Sequence, residues 1–500
     1  MNNESQRIVA KAWNFAHVLR DVGLSYMAYT EQITFLLFLK MADELTHPPH
    51  NQPSKVPKPY DWATLIAKDG EELETHYRRT LEELGKKGGM LGQVFQKARA
   101  DIQNPALLRR LIDSLIASET WTEMNADVKG DIYEGLLSKS AEESPKGAGQ
   151  YFTPRPLIQG VVDCVRPSPE DTVCDPACGT GGFLLAAREY VLKHHPKLDP
   201  DQRKTFRTKF ANGWEIVANT ARLCVMNLYL HGVETDPSPI QSGIDSLSKE
   251  VGGNTFSVVL TNPPFGKKSS IASSNAKIDD EGEVEKDDST YSRQDFIADT
   301  KNKQLNFLQH VMALLKVGGR CAIVVPDNVL FEGGAGEKIR RSLLKNFDVH
   351  TMLRLPTGLF YAQGVKANVL FFDRKPVREE PWTSKLWVYD LRTNMHFTLK
   401  TNPMKRADLD DFVECYHPTN RHERKPTWTE AVPEGRWRAF GYADLAKRDK
   451  LNLDLFWLKD KSLEESDVLP PPAVLAAEIA ADLESITERF TSIASKLTPR

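Results

Sequence analysis

From Thr172 to Phe372, short apolar runs that end in unusual loops alternate with helical stretches, and this alternation restricts the fold more than any other feature. Thr172–Cys174 leads into a glycine-rich loop and then a helical stretch at 181–193. Ala211–Ile216 reads as a strand, followed by a helix to about His231. Ile240–Ile244 is a weaker strand pattern, and Phe256–Thr261 and Arg320–Val325 are strong ones. Strands that alternate with helices predict an α/β fold built on a doubly wound, mostly parallel sheet. His350–Leu355 and Ala367–Phe372 are joined by a glycine-bearing turn with no helix between them, which predicts an antiparallel hairpin at one edge of that sheet.

The 500 residues exceed one ordinary domain of about 100–200 residues. Residues 1–145 read as a separate helical domain. Trp13, Phe15, Val18, Leu19, Ile33, Leu36, Leu37 and Met41 follow a helical period, and further helices are predicted at 71–84, 90–98, 105–117 and 127–138. Thr46–Pro59 is a proline-rich loop, and Glu142–Gly149 is a breaker cluster that marks a boundary. The sheet domain then occupies 146–400, and 401–470 is an extension of undefined role. Between Gly266 and Gln304 lies a polar insertion, read either as a surface loop or as a gate over the neighbouring motif. In the final segment, 471–500, Leu475, Ile479, Leu483, Ile486, Phe490, Ile493 and Leu497 are spaced close to a heptad seam. That helix packs either on its own domain or on a partner.

Charge and cysteine usage exclude several classes. Lys and Arg number 65 against 68 Asp and Glu, a formal charge of −3, so bulk positive charge does not hold this chain on nucleic acid. Six cysteines are scattered without a CxxC pair, which speaks against a disulfide framework. Cys174 and Cys178 are not followed by a second Cys/His pair of zinc-site spacing, so no metal is expected. The most apolar run, Ile33–Leu39, is broken by Lys40 and is too short to span a bilayer, and the N-terminal residues carry no apolar signal region. No membrane association is expected.

Four motifs carry chemistry. Asp175-Pro-Ala-Cys-Gly-Thr-Gly-Gly-Phe183 lies where a strand meets a helix, at the end of the sheet where α/β proteins bind ligands. It is neither GxxxxGK[ST] nor GxGxxG, so a ligand without phosphates suits it better. Glu215 ends the next strand, where a carboxylate accepts hydrogen bonds from two ribose hydroxyls. Asp245 ends the third strand and is placed to accept from an adenine amino group. Asn262-Pro263-Pro264-Phe265 follows the strongest strand. Its two prolines fix the backbone, so that the Asn262 side-chain oxygen and the Pro263 carbonyl can accept from one amino group. Phe265 offers a face for stacking a base taken out of the duplex.

These motifs, with Gln150-Tyr-Phe-Thr-Pro154 ahead of the glycine-rich loop, resemble the gamma class of amino-methyltransferases that act on adenine N6 in DNA. The helical N-terminal domain, the segment LPTGLFYAQGVKANVLFFDR (355–374) and the helical tail resemble one branch, the modification subunits of Type I restriction-modification systems. The resemblance spans roughly residues 5–375. It implies the class I methyltransferase fold and S-adenosylmethionine as cofactor. It places Gln150, Tyr151, Phe152, Thr153 and Pro154 along the methionine end, with Arg155 as a candidate for its carboxylate. Asp175, Thr180, Gly181 and Gly182 would shape the cofactor loop, Glu215 would hold the ribose and Asp245 the adenine. Asn262, Pro263, Pro264 and Phe265 would engage the target base.

The sequence lacks the Pro-Cys dipeptide that supplies the nucleophile for cytosine C5 methylation, so direct transfer to the amino nitrogen is expected, governed by proximity and orientation. The resemblance also implies double-stranded DNA as substrate and a cytoplasmic location in a bacterium or archaeon. A specificity subunit would be clamped by two modification subunits, and a restriction motor-nuclease subunit can join them. Two alternatives stay open: a standalone amino-methyltransferase acting on RNA or protein glutamine, and a non-catalytic scaffold.

Overall fold

The computed structural model describes residues 7, 8, 10–15, 26–49, 51–121, 153–231, 233, 235–248, 255–265, 291, 293–360, 365–395, 397 and 402–460. The predicted helix at 127–138, residues Gln150, Tyr151 and Phe152, most of the polar insertion and the heptad seam beyond 470 lie outside the described residues.

The N-terminal region is helical as its periodicity predicts: α1 (Tyr26–Glu44), α2 (Gly70–Leu84), α3 (Gly89–Phe95) and α4 (Pro105–Leu111). Asn104 starts α4 by accepting from the amides of Ala106 and Leu107, with Pro105 at the position where its missing N–H costs nothing. One apolar face of α2 buries Leu73, Tyr77, Leu81 and Leu84. These helices share one continuous apolar core with the sheet region. Phe38 packs on Tyr229, the Glu31 carboxylate pairs with Arg222 at 3.3 Å, and Gln93 donates to the Ile240 carbonyl at 2.9 Å.

The sheet has nine strands in the order β3-β2-β1-β4-β5-β7-β6-β8-β9. These are β1 (Val173–Asp175), β2 (Ala211–Glu215), β3 (Ile240–Ser242), β4 (Phe256–Thr261), β5 (Leu315–Pro326), β6 (Phe347–Arg354), β7 (Ala367–Arg374), β8 (Lys385–Asp390) and β9 (Trp437–Gly441). β3, β2, β1, β4 and β5 pair in parallel, β7 runs antiparallel between β5 and β6, and β8 pairs in parallel with β6. The β6–β7 hairpin forms as predicted but does not lie at an edge. β8 and then the antiparallel β9 extend the sheet beyond it, because β8 finds open backbone groups along β6 and β9 finds those of β8. The extension after residue 400 thus supplies a strand.

Side chains alternate between the two faces of the sheet. Val258 and Leu260 join the core under α5 (Arg155–Val165), α6 (Gly182–His194) and α7 (Ala218–Leu230). Val259, Ile323 and Leu370 join a second core under α8 (Lys303–Leu314) and α9 (Ala335–Asn346). Both faces are covered, as a parallel sheet requires. α10 (Asp410–Tyr416) sets Phe412 against Phe371, and Arg406 pairs with Asp163 of α5.

The chain then runs back across the sheet as a strap. Leu451, Leu453 and Leu455 are buried, and the Leu453 amide donates to the Leu330 carbonyl at 2.9 Å. Arg340 of α9, almost wholly buried, donates to the carbonyls of Val329, Glu332, Lys450 and Leu451. Arg354 at the end of β6 donates to the Leu455 carbonyl and pairs with Asp454 at 3.1 Å.

Candidate active site

The strand order reverses at β1, with β2 on one side and β4 on the other, and ligands bind at the carboxyl ends of strands at such a point. Asp175, Glu215 and Asn262 all stand there, at or just beyond the ends of β1, β2 and β4. β1 and β4 are tied directly, since the Thr261 hydroxyl donates to Asp175 Oδ1 at 2.6 Å. The same oxygen accepts from the Ala177 amide at 3.0 Å, which starts the glycine-rich loop.

Gly181 adopts φ +88° as the cap of α6, a backbone position that L side chains rarely take. A Cβ there would stand 2.8 Å from the Cys224 sulfur, and one on Gly182 would stand 2.9 Å from Ile158. The glycines therefore let α6 seat tightly on α5 and α7. The Thr180 carbonyl accepts from Asn227 of α7 at 3.1 Å, so the loop is held from beneath.

Glu215 is buried and bridges two loops. Its Oε2 accepts from the Gly179 amide at 3.0 Å and its Oε1 from the Val217 amide at 2.8 Å. Each oxygen keeps a lone pair for a further donor, the capacity that a ribose diol needs. Burial raises its pKa, while the backbone amides pull the other way. Asp245 lies just past β3, where its Oδ1 accepts from the Leu247 amide at 3.0 Å and its Oδ2 from the Tyr291 hydroxyl at 2.6 Å.

The Asn-Pro-Pro-Phe motif meets the only described part of Gln150–Pro154 that bears a hydroxyl. Asn262 Nδ2 donates to Thr153 Oγ1 at 2.9 Å across 109 residues of chain. This bond fixes which way the carboxamide faces. Its oxygen is buried and has no hydrogen-bond partner among the described residues. A buried acceptor left unpaired costs about 1–3 kcal/mol, so the arrangement suits an incoming N–H donor. Phe265 stands edge-on to Phe360 at 5.3 Å, which brings the 355–374 segment to the same place. Pro263 is buried and Pro264 half-buried beside it, and Pro154 precedes α5. Arg155, in the first turn of α5, pairs with Glu189 at 3.2 Å. Thr261, Asn227 and Tyr291 did not stand out in the sequence, although Thr261 directly precedes the strongest motif.

Asp175 is fully enclosed, and burial pushes its carboxyl up to about 7 from an ordinary 3.8. A raised folded pKa means that the folded chain holds the proton more tightly than the unfolded chain. The stabilising contribution is complete below about pH 4 and is lost as pH rises through about 7. Asp175→Asn should therefore flatten the decline in stability between pH 4.5 and pH 8, read from urea midpoints of the cofactor-free protein. Parallel declines in the two proteins would show that Asp175 does not titrate in this range.

A Gly-rich turn into a helix, an acid ending β2 and Asn-Pro-Pro-Phe ending β4, on a sheet of this order, define an α/β methyltransferase that acts on an amino nitrogen. The N-6 DNA Methylase family model matches residues 124–450, and the HsdM N-terminal domain model matches residues 8–115. The chain is 38% identical to the StySPI methylase subunit of Salmonella potsdam, over 97% of this chain and 93% of that one. It is 37% identical to the EcoKI methylase subunit of Escherichia coli K12, over 99% and 96%. A modification subunit of a type I restriction enzyme from Vibrio vulnificus YJ016 superposes with a TM-score of 0.67 at 25% identity, covering 92% of this chain and 96% of that one. The chain belongs to the methylase subunits of Type I restriction enzymes. It is a DNA methyltransferase subunit of the adenine-N6 class, and its fold and family imply S-adenosylmethionine as methyl donor. Among the described residues no helix is long and apolar enough to cross a membrane, and no group of His, Cys, Asp and Glu side chains could hold a metal ion.

Proposed function

We propose that the Asn262 oxygen and the Pro263 carbonyl receive the N6 amino group of an adenine extruded from double-stranded DNA. The observation that carries this reading is the buried Asn262 oxygen, which has no hydrogen-bond partner among the described residues, on a side chain held in orientation by Thr153. Two acceptors on one NH₂ group draw its hydrogens aside and leave the nitrogen lone pair directed at the donor. Pro263 and Pro264 hold both acceptors still, so little reorganisation is needed on reaction. Phe265, already edge-on to Phe360, stacks on the base.

S-adenosylmethionine, when bound, supplies an electrophilic methyl on a sulfonium. Glu215 holds its ribose hydroxyls through the lone pairs that the Gly179 and Val217 amides leave free. Asp245 takes the adenine amino group. Asp175, Thr180, Gly181 and Gly182 shape the loop between them. Thr153 and Pro154, with Gln150, Tyr151 and Phe152, border the methionine end. Arg155 is placed nearby, with Glu189 as its present partner. The residues of this chain orient and enclose, and no side chain needs to attack covalently.

The formal charge of −3 leaves much of the DNA grip to a partner. We assign that role to a specificity subunit held by two copies of this chain, with a restriction subunit able to join, in the cytoplasm of a prokaryote. The segment 471–500, whose heptad spacing predicts a helix, is the candidate for docking on it. The test uses tritiated S-adenosylmethionine with duplex DNA, RNA and protein as acceptors, with and without the specificity subunit. Label should enter DNA only, at N6 of adenine, and efficiently only with the partner. Robust sequence-specific labelling by the purified chain alone would overturn the division of labour. Labelling of RNA or protein instead would overturn the substrate.

A further inference from the structure

The end of the polar insertion returns to the site at a defined point. Phe265, at the target-base motif, directly precedes the insertion in sequence, and Tyr291 lies toward its far end. Tyr291 and residues 293–302 are anchored on two sides. On one side α8 holds it: Gln309 accepts from the amides of Ile297 and Ala298 and donates to the Ala298 carbonyl, and Asn306 donates to the Thr300 carbonyl. Arg293 reaches His310 of the same helix at 3.0 Å. On the other side it is tied to the loop after β3. The Tyr291 hydroxyl donates to Asp245 Oδ2 at 2.6 Å, and Arg293 donates to the Leu247 carbonyl at 3.3 Å. Tyr291 also bridges to Thr300 in antiparallel fashion, which fixes its backbone.

Asp245 is thus held by two donors, one on each oxygen, the Leu247 amide and the Tyr291 hydroxyl. A carboxylate offers about four lone-pair directions, so it can take a third donor while both bonds persist. Its loop is joined to the ribose-side acid as well, because the Gly243 amide donates to the Glu215 carbonyl at 2.8 Å. A tyrosine carried by the insertion therefore orients the acid on the adenine side of the site.

We propose that Tyr291 is a positioning residue for S-adenosylmethionine, holding Asp245 for the adenine amino group and coupling cofactor binding to order in residues 293–301. The inference rests on the assignment of Asp245 to the adenine. A pre-fixed carboxylate loses less freedom when the amino group docks, so the hydroxyl acts on affinity rather than on the methyl-transfer step.

The test compares Tyr291→Phe, which keeps the ring, with Asp245→Asn, which keeps an acceptor. Binding of S-adenosylmethionine to the purified full chain is measured by calorimetry, and turnover is measured in the assembled complex. Tyr291→Phe should weaken cofactor binding about 10-fold and raise the KM for S-adenosylmethionine in parallel. The kcat and the KM for DNA should stay within about twofold of the wild type. Asp245→Asn should weaken binding at least as much. In hydrogen exchange, the cofactor should slow amides 293–301 in the wild type and not in Tyr291→Phe. Unchanged affinity in Tyr291→Phe with weakened Asp245→Asn would overturn the role of Tyr291 and keep that of Asp245. Unchanged affinity in both would overturn the adenine assignment and the proposal with it. A loss of kcat in Tyr291→Phe without a change in cofactor affinity would reduce Tyr291 to a structural part.

Discussion

Asn262→Ala is expected to lower methyl transfer on the order of 10³-fold, the loss seen when one preorganised polar group at a reacting centre is removed. Cofactor affinity should stay within about twofold, because Asn262 follows β4 while Glu215 and the glycine-rich loop, which we propose hold the cofactor, stand at the ends of β2 and β1. The change removes the oriented oxygen and its tie to Thr153 together. Single-turnover transfer in the assembled complex measures the first quantity, and calorimetry on the chain measures the second. A variant that turns over within about tenfold of the wild type would remove Asn262 from the catalytic role. Because a buried acceptor without a partner is unfavourable before substrate arrives, Asn262→Ala should not destabilise the free chain appreciably.

Arg340→Met is expected to carry the largest stability cost. Its guanidinium is buried and donates to four carbonyls on two separate segments, residues 329–332 and 450–451. Burial pushes it down to about 10, so it remains a cation at neutral pH. Methionine matches the stem but leaves those carbonyls enclosed and unpaired at about 1–3 kcal/mol each, with partial relaxation giving roughly 3–5 kcal/mol in all. The denaturant midpoint should fall accordingly, and the strap at 449–457 should become the first site of proteolysis. A shift under about 1 kcal/mol would mean that water reaches those carbonyls and the clasp is dispensable.

Most of the sheet was legible because each strand ends in residues that cannot continue it. Proline follows Asn262, glycine follows Ser242, and the glycine-rich loop follows Asp175. The position of the β6–β7 hairpin was not legible. Strand order depends on which backbone groups remain open after β5 is paired, and nothing local to residues 347–374 encodes that. β8 and β9 escaped notice for the same reason. They are short, are separated by the whole stretch from 391 to 436, and pair through contacts that only the assembled sheet offers.

In the site, the sequence placed an acid at the end of one strand, a second acid past the next and an amide after the strongest strand, and the structure sets Glu215, Asp245 and Asn262 at the carboxyl ends of β2, β3 and β4. Their mutual contacts were not legible. Asn262 and Thr153 belong to two motifs whose meeting depends on how α5 packs against the sheet. Thr261 looked like one more β-branched strand residue, and only the neighbouring β1 turns its hydroxyl into a partner for Asp175. Tyr291 sits at the rim of a polar stretch with no periodic pattern to mark it.

The strap and β9 also determine where this catalytic unit can be divided. A chain ended near residue 400 would keep every motif that carries chemistry. It would also strip β9 from β8, open the backbone of a largely buried strand to any other strand, and remove two of the four carbonyls that Arg340 donates to, together with the Leu455 carbonyl that Arg354 donates to. The residues after 400 thus act as a seal on a self-adhesive edge, and a shortened form is expected to need the chain through Leu455 to keep that edge and the strap in place.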